Sequence, residues 1–293
     1  MKTISTFLTS YIFLLTVGIT AIIPFRCLYV VSGFFAWILQ KVLKYRQNVI
    51  EQNISNSDLE LNEDEKREVI SHFYLNLSDI ILEGVKSFSM SLTTVFERHK
   101  IRNPEILDPY FQNNQSLILV TGHLGNWEWG SLSAGLYTDQ QIIAFYSPLR
   151  NKKIDKILRK SRSRFGTILT PTKGTTQTFR ENQKQPTLFV MAADQSPARV
   201  ESAHWVQFLG RPTAFLHGPE KHARNNGYPV VFAEIERVKR GYYELTLSIL
   251  AENPSELPEG AITRRYAKKL EDCIRKHPSD WLWSHRRWKH KPE

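Results

Sequence analysis

The chain opens in hydrocarbon. From Ile4 to Ile23 no side chain is charged, and Leu, Ile, Phe and Val dominate. At about 1.5 Å per residue a helix of that length covers roughly 30 Å, the apolar thickness of a bilayer. Pro24 and Arg26 end the run. A second apolar stretch, Cys27 to Leu39, is short for a span and predicts an element at the interface or packed on the rest of the chain. Lys41, Lys44 and Arg46 follow the apolar region against Lys2 before it, a bias that places the bulk of the chain in the cytoplasm. A cleaved signal peptide and a buried core helix are the rival readings, and no convincing small-x-small cleavage site follows the run.

Residues 47–115 read as a polar, mostly helical lead-in that packs on the core. Leu61-Asn62-Glu63-Asp64 opens a run of good helix formers, and Val69, Phe73, Leu77, Ile80 and Ile81 recur near a 3.6 period. From Ser116 the pattern changes. Leu117-Ile118-Leu119-Val120 is a short continuous apolar run, as in a strand buried on both faces. Ile142–Tyr146, Thr187–Met191, Val230–Ile235 and Tyr243–Ile249 are further strands, with helices over 127–136, 151–164, 173–183 and from Pro219 to about Asn225. Such alternation predicts an α/β fold with a mostly parallel central sheet flanked by helices, plus the N-terminal membrane-anchoring helix. Residues 230–237 and 242–250 predict an antiparallel hairpin, and a last helix over 260–277 stops before Pro278. The expected organisation is an anchor (1–46), the helical lead-in (47–115) and one α/β domain (116–293).

Composition narrows the partners. A formal charge of +10 calls for an acidic one: an anionic membrane surface, an acidic protein or nucleic acid. The stretch 150–164 concentrates it, with Arg150, Lys152, Lys153, Lys156, Arg159, Lys160, Arg162 and Arg164 against Asp155 alone. Cys27 and Cys273 are far apart and outside any metal-ligand spacing, so no disulfide framework or zinc ribbon follows. The 194–217 stretch predicts a long loop, whose Trp205, Phe208, Leu209 and Phe215 are candidates to line an apolar pocket.

The stretch Thr121-Gly122-His123-Leu124-Gly125-Asn126-Trp127-Glu128 carries the chemistry. A buried strand ends, a loop with two glycines follows, and Asn126 caps a helix. His123 falls beyond a strand's carboxyl end, where open α/β sheets bind ligands. On one continuous helix His123 and Glu128 would diverge by about 140°; a turn at Gly125-Asn126 lets them meet. A carboxylate bonded to imidazole fixes the ring, and the pair can deprotonate an attacking hydroxyl. A hydrogen-bonded structural His is the ordinary alternative, and no third metal ligand stands nearby.

The string HLGNWEW is very similar to the His-x4-Glu/Asp motif of the bacterial lipid A biosynthesis late acyltransferases, the lauroyl/myristoyl-transfer family. Tyr146-Ser147-Pro148-Leu149-Arg150-Asn151 resembles that family's Tyr-Arg-Pro-x-x-Asn block, with Ser147 in place of Arg. Arg162-Ser163-Arg164-Phe165-Gly166, Ala193-Asp194-Gln195 and Trp283-Ser284-His285-Arg286-Arg287-Trp288 resemble later blocks. The resemblance covers the anchor and nearly all the rest. It implies acyl transfer from an acyl carrier protein thioester to a hydroxyl of a lipid A precursor at the anionic inner membrane, without a metal or organic cofactor. By position His123 and Glu128 become the catalytic pair. Arg162 or Arg164, or both, engage phosphate or the oxyanion, and Asp194 and Gln195 shape the site. Apart from the resemblance, Arg286 and Arg287 stand among Trp281, Trp283 and Trp288, where basic side chains pair with headgroup phosphates, and are further substrate-binding candidates. Two alternatives stand beside it. One is transfer to another lipid, a lysophospholipid or aminoacyl lipid; the other is a membrane-tethered, non-enzymatic nucleic-acid-binding protein, in which His123 would be silent. The resemblance itself implies no nucleic-acid partner.

Overall fold

The computed structural model describes residues 2–201 and 203–292, with side chains from Thr9 onward. Two apolar helices, α1 (Lys2–Ile22) and α2 (Phe25–Trp37), meet at Pro24. A π-helical turn over Ile38–Val42 continues α2, so Phe25–Val42 forms a helix long and apolar enough to cross a membrane. That stretch is longer than its hydropathy pattern suggests, because the helix runs on past Leu39 and through Lys41. After α3 (Gln47–Ser55), helix α4 (Glu63–Lys86) starts at a capping box. Asn62 Oδ1 accepts from the Asp64 and Glu65 amides at 2.9 and 3.0 Å, and the Glu65 carboxylate accepts from the Asn62 amide at 2.7 Å. Three acids in the first turn suit the dipole. Short helices α5 (Leu92–Arg98) and α6 (Asp108–Gln112) flank strand β1 (His99–Ile101).

Then comes the alternation that the hydrophobic runs predict: β2 (Leu117–Thr121), α7 (Trp127–Ser133), β3 (Gln141–Tyr146), α8 (Lys152–Arg162), β4 (Thr167–Pro171), α9 (Thr175–Glu181) and β5 (Thr187–Ala192). Beyond β6 (Ala203–Phe208) and β7 (Arg211–Leu216) lie α10 (Gly218–Asn226), β8 (Val230–Lys239), β9 (Tyr242–Ala251) and α11 (Ala261–Lys276). Seven strands form one sheet in the order β1-β9-β8-β2-β5-β3-β4, parallel throughout except at the β8–β9 hairpin. β1 and β4 complete its two edges without an apolar run to announce them. β1 has three residues, and β4 (Thr-Ile-Leu-Thr-Pro) exposes Ile168 to solvent.

The expected loop at 194–217 is instead largely the hairpin β6–β7, closed by Leu209 and Gly210, both at positive φ. Leucine is an unusual residue for that position, which hid the turn. Packing explains why it is tolerated: Phe208, Leu209 and Phe215 are fully buried in the core on one face of the sheet, with Ile118, Val120, Phe189 and Phe232. Each such side chain is worth about 1.5–3 kcal/mol on leaving water. The opposite face packs Leu117, Leu119, Leu188 and Val231 against Trp129 and Leu132 of α7. Strand β2 is thus buried on both faces, as its uninterrupted apolar run requires.

Candidate active site

Strand register brings two distant segments together. Thr121 at the end of β2 pairs with Ala192 at the end of β5; two residues further along each chain stand His123 and Asp194. The Asp194 carboxylate accepts from the His123 amide at 2.8 Å, from the ring Nδ1 at 2.5 Å and from the Trp281 indole at 2.9 Å. The other ring nitrogen, Nε2, faces the Gln195 amide nitrogen at 3.2 Å. Trp127 sets its ring edge-on to the imidazole at 5.1 Å.

The carboxylate on His123 is therefore Asp194, whereas the sequence pointed to Glu128. The chain does turn at Gly125, whose φ of +51° favours glycine, and Asn126 caps α7 by accepting from the Trp129 amide at 3.0 Å. That turn aims Glu128, in the first turn of α7, at the Arg162 guanidinium, with which it forms an ion pair. His123, Glu128, Arg162 and Gln195 nonetheless share one cavity wall.

Burial alone would lower the His123 pKa; the Asp194 charge and hydrogen bond override it and hold the imidazolium above its ordinary range, with a smaller push from Glu128. Burial likewise disfavours the Asp194 carboxylate, but His123, its amide and Trp281 pull that pKa down to about 2.

The remaining basic residues go elsewhere. Arg164 donates to the carbonyls of Ser87, Phe88 and Met90 at 2.7, 3.1 and 3.0 Å, so its guanidinium holds a turn after α4. Arg287 is buried beneath the β6–β7 hairpin, donating to Ala214 O at 2.8 Å and lying over the Phe215 ring at 4.3 Å. Burial pushes its pKa down to about 10, and its Nε and Nη2 have no partner among the described residues. Arg286 is exposed. None of these three lines the cavity.

The cavity, about 390 Å³, runs between α7 and the sheet face opposite the hairpin core, so Phe208, Leu209 and Phe215 take no part in it. Strand register orders its wall in layers. Thr121, Ala192 and Tyr146 stand level with the imidazole; Leu119, Val190, Ala144 and Leu169 come next; Leu188, Ile142 and Thr167 lie deepest. Four residues at about 3.3 Å each make the descent roughly 13 Å. Its mouth is polar and its depth is mostly hydrocarbon. Among the described residues no three His, Cys, Asp or Glu side chains cluster closely enough to hold a metal ion.

Sequence reasoning missed Glu83. It accepts from Asn126 Nδ2 at 2.7 Å, Tyr29 Oη at 2.7 Å and Tyr243 Oη at 2.8 Å, tying the site loop to α2, α4 and β9. The available signal was an acid pair, Asp79 and Glu83, set beside the apolar stripe of α4. No curated protein matches the chain. One family model does, that of bacterial lipid A biosynthesis acyltransferase, over residues 1–290.

Proposed function

The chain belongs to the bacterial lipid A biosynthesis acyltransferases, and from that premise we propose that it moves a fatty acyl group from an acyl carrier protein thioester to a hydroxyl of a lipid A precursor. One observation carries the reading: an imidazole held by a buried carboxylate stands at the polar mouth of a deep apolar cavity. The donor's acyl tail fills that cavity, each buried CH₂ contributing about 0.8 kcal/mol, and its thioester rests beside His123.

His123 is the general base. With Nδ1–H donated to Asp194, Nε2 takes the acceptor's hydroxyl proton as the oxygen bonds to the thioester carbon. Gln195 gives up its contact with Nε2 to the incoming hydroxyl. Negative charge develops on the carbonyl oxygen, and Arg162 stabilises it, held in place by Glu128. As the tetrahedral intermediate collapses, the carbon–sulfur bond breaks and the imidazolium returns its proton to the departing thiolate. Arg164 has no part in this step, since its guanidinium is engaged with backbone carbonyls. The apolar N-terminal helices attach the enzyme to the inner membrane, where its acceptor resides. Acyl transfer also leaves the +10 charge without need of a nucleic-acid partner; carrier protein and lipid phosphates are both acidic.

Purified protein with acyl carrier protein thioesters and lipid A precursors, read by mass spectrometry, tests the reading. The acceptor should gain one acyl chain, and His123→Ala and Glu128→Ala should each abolish turnover in folded protein. Acylation of a lysophospholipid or aminolipid instead, or near-normal transfer by the His123 variant, would overturn the assignment.

A further inference from the structure

Both N-terminal helices turn a face of hydrocarbon outward. On α1, Ser10 and Thr20 are buried against the body, whereas Tyr11, Ile12, Leu15, Ile19 and Ile22 are exposed. On α2, Leu28, Ser32 and Ala36 are buried, and Val30, Val31, Phe34 and Trp37 are exposed. A contiguous exposed face of hydrocarbon on two successive helices calls for an apolar medium.

How the helices are held says how that medium approaches. Asp79, Glu83 and Lys86 lie along one side of α4 and grip both. The Ser32 hydroxyl donates to Asp79 at 2.5 Å and the Tyr29 hydroxyl to Glu83 at 2.7 Å. Lys86 Nζ donates to the carbonyls of Thr20, Ala21 and Ile23 at 2.8, 3.0 and 2.9 Å, a cation at the negative end of the α1 dipole. Near its middle α1 touches the start of α8: Asn151 Nδ2 donates to Ser10 Oγ at 3.1 Å and Thr9 Oγ1 at 3.3 Å. Phe13 packs edge-on to Phe88 between them. Contacts thus extend from residue 9 to residue 23, about 20 Å along the helix. A helix crossing a bilayer can touch a body on one side of it at only one end. Crossing with these contacts kept would sink Asn151, Lys86 and the basic start of α8 to bilayer depth, where cations are costly.

We propose that α1 and α2 lie flat in one leaflet, their exposed faces among the acyl chains and the exposed Arg26, Lys41, Lys44 and Arg46 among anionic headgroups. Attachment is monotopic, and the occupant of the apolar face is lipid. The inference rests on the membrane attachment in the proposed function and fixes its geometry. Because Glu83 holds both Tyr29 of α2 and Asn126 of the site loop, the reacting groups are built directly on the element that lies in the lipid.

Three measurements on the full chain separate the outcomes. First, the wild-type protein should float with vesicles containing phosphatidylglycerol; failure to float would remove membrane attachment and this inference with it, while leaving the acyl-transfer assay intact. Second, in a Cys27→Ser, Cys273→Ala background, Ser10→Cys with Asn151→Cys should form an intramolecular disulfide on mild oxidation of native membranes, with acyl transfer retained. An active, membrane-bound protein that never cross-links would overturn the in-plane arrangement. Third, a single Thr3→Cys in the same background should resist an impermeant maleimide on intact spheroplasts and label after permeabilisation. Labelling from outside would establish a crossing helix, whatever the cross-link gives.

Discussion

At the scale of single residues, the pairing of His123 with Asp194 rather than Glu128 has a titration signature. Only the neutral imidazole accepts a proton, so the acid limb of kcat/KM follows the raised His123 pKa. Asp194→Asn removes the charge that raises it. The variant should lose about 10²-fold or more in kcat, with its acid limb moved to lower pH. An unmoved limb would mean that Asp194 does not act through His123. The same pair shapes stability. The raised imidazole contributes fully below about pH 6.5 and fades as pH rises through its folded value. Asp194, lowered to about 2, contributes above roughly pH 4 and loses that share as pH falls toward 2. In thermal melts Asp194→Asn should therefore cost most between about pH 4 and 6.5. Both residues stood out in the sequence as candidates. Their partnership did not, because it depends on strand register between segments 71 residues apart.

At the scale of elements, α7 is the piece that positions Glu128, and Asn126 secures it from both sides. Its Oδ1 caps the helix and its Nδ2 donates to buried Glu83. Asn126→Ala removes a cap and leaves a buried carboxylate one donor short, for a loss of about 2 kcal/mol in denaturant unfolding. Asn126→Asp keeps the cap but sets a second carboxylate against Glu83, so it should not rescue. The strands with uninterrupted apolar runs, and the β8–β9 hairpin, were readable from pattern alone. The β6–β7 hairpin was not, since its turn is Leu-Gly and its strands mix His, Gln and Trp with apolar residues. Edge strands β1 and β4 escaped for a related reason: a strand with one neighbour needs no apolar run.

At the scale of the molecule, the two sheet faces have divided the work. One is packed solid with aromatics beneath the hairpin and α11; the other keeps a channel open beneath α7. Ala144 is the one small side chain of its middle layer, set among Leu119, Val190 and Leu169. Ala144→Leu should close off the layer holding Leu188, Ile142 and Thr167 and shift donor preference to shorter acyl chains, with little loss of stability because the added atoms enter open space. A panel of thioesters of graded length checks this, and unchanged preference would place the tail elsewhere. The family and its α/β architecture were visible in ordered motifs. The channel was not, because its wall draws on seven strands and two helices whose contact no local pattern encodes.

Asp194 takes its third donor from Trp281, 87 residues further along the chain. The ribosome therefore releases the carboxylate long before the indole that helps fix it. No nascent chain short of Trp281 holds the imidazole as the finished enzyme does, so a contact translated late helps to fix one translated early.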